Sequence, residues 1–147
     1  MSIDNRDKKI IEILQKDSRT PNTEIAKKLE ISEAAVRNRI KNLQKEEIIK
    51  RFTIEIEPSK LGYNSIAHVG IDVEPDKFLE AASKLSRHEE IKDIALTTGD
   101  HMIMMEIWAE DGDELTKILT EKVEKVDGVK DICPAVILEK IEDGLLT

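Results

Sequence analysis

Cysteine is almost missing from this chain: Cys133 stands alone, which excludes an internal disulfide framework. Aromatic side chains are nearly as rare, with Trp108, Tyr63, Phe52 and Phe78 making up the whole set. The core must therefore be built from Ile, Leu, Val and Met. No apolar run approaches the ~20 residues that a membrane span needs. The opening Met1–Asp7 shows no basic segment leading into an apolar stretch, so no secretion signal is expected and a cytoplasmic location is. Glutamine is limited to Gln15 and Gln44 beside abundant Lys, Glu and Ile, a bias that resembles hyperthermophile proteins. Catalytic signatures are absent too. His68, His88, His101 and Cys133 are scattered without metal-site spacing, and no Gly-rich phosphate loop or nucleophile motif appears. Neither a cofactor nor a metal is expected, and Met102, Met104 and Met105 read as packing residues.

What is present is charge, and it is divided unevenly. The 147 residues carry a net charge of −8, which taken as an average argues against a nucleic-acid partner. Residues 1–51, however, hold 13 Lys/Arg against 9 Asp/Glu, while residues 52–147 hold 10 against 22. A basic head would be drawn to phosphates that repel the acidic body.

The head shows three short helical patterns. Asp4 is placed to cap the first, with Asp7 in its first turn, and Ile10, Ile11, Ile13 and Leu14 form one face. Thr20-Pro21 reads as a cap followed by proline at the first helical position of a second helix through Ile25, Ala26 and Leu29. Ser32 caps a third helix running to about Glu46, only a few residues on. Two helices joined by so tight a turn form a helix-turn-helix, with small Ala26 at the crossing and Ile31 plugging the turn. At about 100° per residue, Val36, Ile40 and Leu43 share the inward side of the third helix. Ala34, Asn38, Lys41 and Lys45 share the outward side, Arg37 lies on one shoulder and Arg39 on the other. An amide can pair with adenine and arginine with guanine in the major groove, whereas lysine holds phosphate. The expected DNA contacts are therefore Ser32, Glu33, Ala34, Arg37, Asn38, Arg39, Lys41 and Lys45. Arg39 has a second option, pairing with an acid of the second helix. The alternative for all of them is an ordinary solvated helix face.

Beyond the head, Ile48–Ile56 alternates like a strand, and Pro58 and Gly62 mark a loop. The division expected is a helix-turn-helix (winged-helix-like) head at 1–50, a hinge strand and linker at 51–63, and a second domain at 64–147. That domain reads strand (Ala67–Val73), helix from Pro75, strand (Ile91–Thr98), turn at Gly99-Asp100, strand (His101–Ala109), helix through Val123 stopped by Gly128, and a last strand through Ile132, Val136 and Leu138. The order βαββαβ is ferredoxin-like, an antiparallel sheet with helices on one face, so the chain is α+β. In His101–Ala109 one face is apolar (Ile103, Met105, Ile107 and Ala109), and three of the four residues on the other, Met102, Met104, Glu106 and Trp108, are large and apolar too. A sheet with one wet face should alternate cleanly. The second set is therefore expected to lie in a homodimer interface, sheet against sheet.

These stretches together resemble the Lrp/AsnC (leucine-responsive/asparagine regulator) family over essentially the full length. The likeness is carried by Asp7–Leu14, Arg19–Ala26, Ile31–Ile40 and Leu61-Gly62-Tyr63. The resemblance implies a regulator binding double-stranded DNA, dimeric through its C-terminal domain and often tetrameric or octameric. It also implies an amino-acid effector held near the turn between the second and third strands, here Thr98, Gly99, Asp100, His101 and Met102. Two departures stand out. Glu46-Glu47-Ile48 offers no glycine after the recognition helix, where the family usually has one. The effector turn, usually Thr-Gly-x-x-Asp, ends here in Met102, which removes a carboxylate partner for a ligand's ammonium. Asp100 or Glu106 would have to substitute, or the chain takes a different effector or none. A rival implication is enzymatic, because some chains resembling this family are tetrapyrrole (sirohaem) decarboxylases with the same layout.

Overall fold

A computed structural model of the chain describes residues 2–141; residues 142–147, the end of the expected second domain, lie outside the described residues. The chain forms two compact units that divide between Ile56 and Glu57.

The first unit contains α1 (Asn5–Lys16), α2 (Asn22–Leu29) and α3 (Glu33–Lys45). Helix α1 starts with a reciprocal cap: Asp4 accepts from the Asp7 N–H at 2.9 Å, and Asp7 accepts from the Asp4 N–H at 3.2 Å. Helix α2 begins differently from the sequence expectation. Pro21 occupies the cap position, and the Thr20 hydroxyl instead donates backward to the Asp17 carbonyl at 2.7 Å. Thr20 lies one residue before the cap, so its hydroxyl oxygen accepts none of the free N–H groups of the helix and its proton closes the preceding turn. Ile10, Ile25, Val36 and Leu43 are fully buried and form the core of the unit, with Ala26 at the close crossing.

Residues 51–57 carry no regular structure, which corrects the strand expected over Ile48–Ile56. A strand needs a ladder partner for its backbone groups, and the described residues supply none here. Phe52, Ile54 and Ile56 stay exposed, Ile54 by 78%.

The second unit runs through β1 (Ser65–Val73), α4 (Phe78–Leu85), β2 (Ile91–Leu96), β3 (Ile103–Ala109), α5 (Gly112–Ile118) and β4 (Val129–Val136). The sheet order is β2-β3-β1-β4, with every neighbouring pair antiparallel. This is the expected βαββαβ arrangement. Beyond α5 the helix widens into a π-type turn at Leu119–Val123, closed by the Glu124 N–H donating to the Leu119 carbonyl at 2.8 Å. Gly128, at φ 94°, then turns the chain into β4. Ala67, Val69, Ile71 and Val73 from β1 and Ile103, Met105, Ile107 and Ala109 from β3 pack beneath Ala81, Leu85, Leu115 and Ile118. Among the described residues of this unit, no helix packs on the other sheet face. No helix among the described residues is long and apolar enough to cross a membrane.

Candidate nucleic-acid interface and effector turn

Ser32 begins α3 by accepting the Ala35 N–H at 3.0 Å, which fixes the register of the helix. With Val36 and Leu43 fully buried and Ile40 half-buried, the rotation of the helix is fixed as well. Ala34, Arg37, Asn38, Lys41 and Lys45 are exposed, together with Ser32, while Glu33 is half-buried. The row expected from the periodicity is thus one surface. Arg37 is not free on it. Its guanidinium is hydrogen-bonded to the Glu33 carboxylate one turn back, so part of its charge is offset before any ligand arrives.

Arg39 is engaged elsewhere, and not with the second helix. Its Nη1 donates to both Asp4 oxygens at 2.9 and 2.8 Å and to Asp7 Oδ1 at 3.0 Å. The acids belong to the start of α1, which packs beside the shoulder that Arg39 occupies. Asp7 is only 3% exposed, so its charge relies on these donors. The Asp7 backbone N–H, and after it Arg39, hold the Asp4 carboxyl below its ordinary range. In return Asp4, then Asp7, raise Arg39 above its own.

Both ends of the helix-turn-helix turn through glutamate. After α2, Glu30 has φ 55°; after α3, Glu47 has φ 57°. Each sits in the left-handed position that glycine usually fills. After α3 the Glu47 N–H donates to the Gln44 carbonyl at 3.0 Å and the Ile48 N–H to the Leu43 carbonyl at 2.9 Å. The helix end lacking a glycine is therefore closed by the ordinary bonds, with a strained residue at the bend.

In the second unit the open sheet face carries Ile66, His68, Gly70 and Asp72 from β1, beside Trp108, Glu106 and Met104 of β3. Glu106 lies 3.5 Å from His68 Nε2 and 3.7 Å from Lys140 Nζ. Trp108 is half-buried, its ring 5.5 Å from that of Tyr63, and Lys92 Nζ sits over both rings. Part of the apolar surface expected to need a second copy is thus covered within the chain, by the residue that follows Gly62.

The turn between β2 and β3 is longer than a tight hairpin, because His101 and Met102 belong to it and not to the strand. Thr98, Gly99 and Asp100 form its exposed tip. Thr97 donates its N–H to the Met102 carbonyl at 2.9 Å, and Met102 donates its own to Ile71 at 3.1 Å. His101 folds back over β1, its Nδ1 3.4 Å from Asp72 Oδ2 and its ring against Gly70, where no Cβ would fit. Met102 is half-buried against the core and precedes β3, so the strand's own row on the open face starts at Met104.

The two units correspond to two separate family models. Residues 3–44 match the AsnC-type helix-turn-helix domain, and residues 66–145 match the Lrp/AsnC ligand binding domain. The chain belongs to the Lrp/AsnC family. Relatives include the HTH-type transcriptional regulators LrpA of Pyrococcus horikoshii and Pyrococcus abyssi. They are 54% and 51% identical over 140 residues, covering 95% of this chain and 99% of each relative. Among solved structures, Escherichia coli AsnC superposes with a TM-score of 0.87 at 26% identity, covering 95% of both chains. A Neisseria meningitidis transcriptional regulator in complex with L-Met superposes at 0.91 with 19% identity, over 99% of this chain and 97% of that one.

This Lrp/AsnC protein is accordingly a DNA-binding transcriptional regulator with an effector domain, and its curated relatives are regulators and not enzymes. The decarboxylase alternative falls away. Several features of this member escaped the sequence reading. The Glu33–Arg37 pair was visible as acid and base four residues apart. The Asp4–Asp7–Arg39 cluster spans more than thirty residues of sequence and had no local signal.

Proposed function

We propose that this regulator reads DNA through the outward row of α3, binds as a homodimer joined through its open sheet face, and responds to a small molecule at the Thr98–Met102 turn. The observation that carries the DNA reading is the surface itself: one helix buries Val36 and Leu43 completely and presents Ala34, Asn38, Lys41 and Lys45 together. Ala34, near the helix start with Ser32 and Glu33, leaves room for close approach to the groove. Asn38 is the base reader, and Arg37 joins it after exchanging Glu33 for a base or phosphate. Lys41 and Lys45 hold the backbone. Dimerisation is supported by the row Met104, Glu106 and Trp108 on the sheet face opposite α4 and α5. It is supported also by the exposed Phe52 and Ile54 of the linker, which have no strand partner among the described residues. Assembly to tetramers or octamers extends the same reading.

The test is selection of bound fragments from random DNA. Wild type should recover a near-palindrome with half-sites about 10 bp or a multiple apart. Asn38→Ala should lose about 1–3 kcal/mol at that site and relax one position of it. Lys41→Ala should weaken all sequences alike and flatten the salt dependence by about one unit. An Asn38→Ala consensus identical to wild type at equal affinity refutes the assignment.

A further inference from the structure

Arg39 is on the DNA-reading helix but is spent inside the protein. One nitrogen, Nη1, serves two carboxylates at the N-terminus of α1, with separations of 2.8 to 3.0 Å. Those carboxylates are also the two halves of the α1 cap, each accepting the other's N–H. The start of α1 and the middle of α3 are therefore tied by one connected set of hydrogen bonds. Apolar packing between Ile10, Val36 and Leu43 keeps the helices together but is not directional. The hydrogen bonds supply the direction that packing lacks.

We propose that Arg39 is a positioning residue for DNA recognition: by locking α3 to the Asp4–Asp7 cap it sets the rotation at which Asn38 meets the bases, and it does not itself hold a phosphate. This inference rests on the reading of the α3 outward row given above. The geometry makes the dependence steep. Side chains reach about 5–6 Å from a helix axis, so a rotation of about 10° moves their tips by about 1 Å. A bidentate base contact does not survive such a shift. Phosphate contacts tolerate it, because a lysine head can follow the backbone as a point charge. Loosening Arg39 should therefore reduce sequence discrimination and leave electrostatic affinity intact.

The experiment compares Arg39→Met, Arg39→Lys and Asn38→Ala in the full-length protein. It measures affinity for the selected site and for random-sequence duplex across a salt series. Arg39→Met should reduce the ratio of the two affinities about tenfold, the discrimination a base contact carries, with the salt slope unchanged. Arg39→Lys should restore most of the ratio, since all three bonds end on one nitrogen that an ammonium can replace. A slope reduced by about 0.9, with both DNAs weakened equally, would mean a phosphate contact and overturn the proposal. A ratio that Arg39→Met leaves intact on folded protein, while Asn38→Ala lowers it, would reduce the cluster to a stabilising one and overturn it equally. If Asn38→Ala leaves the ratio intact, the underlying reading of α3 is what fails. Should Arg39→Met not fold, Asp4→Asn decides: it keeps a competent cap and removes one carboxylate from Nη1. A severalfold fall in the ratio is expected, and no fall refutes.

Discussion

Replacing Glu47 by glycine should stabilise the head, although it removes a side chain and adds no contact. Glu47 sits at φ 57° at the end of α3, a conformation that costs an L-residue about 1–2 kcal/mol. Glycine adopts it without that cost. Against the gain stands the extra freedom that glycine gives the unfolded chain, about 0.4–1 kcal/mol. The closing bonds, from Ile48 to Leu43 and from Glu47 to Gln44, are made by the backbone and survive the substitution. The net expectation is about 0.5–1 kcal/mol, which for a small unit is a rise in midpoint of about 2–8 °C. A carboxylate near a helix C-terminus also opposes the helix dipole, so Glu47→Ala is the necessary control. It deletes the charge and keeps the Cβ. Thermal unfolding followed by far-UV circular dichroism reports on all the helices, of which α1–α3 make up the larger part. A Glu47→Gly protein no more stable than Glu47→Ala would show that the left-handed residue is not strained, and the argument would fail.

Two further outcomes follow from the second unit. Trp108→Asp should drive the protein toward monomers or aggregates at micromolar concentration in sedimentation, because a carboxylate is not buried unpaired; a stable wild-type monomer would end the dimer reading. A calorimetric screen of the twenty amino acids should find weak binding or none, with binding gained in Met102→Asp, since a thioether is a poor acceptor for an ammonium. Tight binding by wild type that Asp100→Ala abolishes would transfer the role to Asp100.

The features legible in the sequence were those set by local rules. Asp4 and Ser32 announce helix starts because a short polar side chain can satisfy an orphan N–H three residues on. The βαββαβ succession of elements follows from alternation and turn residues. Thr20-Pro21 reads as a cap followed by proline at the first helical position, yet Pro21 itself takes the cap position and Thr20 falls in the turn before it, donating to the Asp17 carbonyl. Ile48–Ile56 alternates as a strand should, yet alternation specifies a face and not a partner, and the described residues provide none. Met102 reads as strand by spacing, but the turn must first return to β1, where its N–H meets Ile71. Arg39 was placed on the correct shoulder and still given the wrong neighbour, since periodicity locates a side chain on its own helix and says nothing about which helix packs against it.

The irregular segment 51–57 gives the head a short leash. Fully extended, residues 51–57 span at most about 25 Å. In the proposed dimer, once one head has docked, the second is confined to a small volume around the neighbouring half-site. Short flexible tethers typically hold a second module at an effective concentration in the millimolar range. Two individually weak heads then suffice for tight operator binding, and each can release and rebind while the other holds. Lengthening the leash would dilute the second head without touching a single residue that meets DNA.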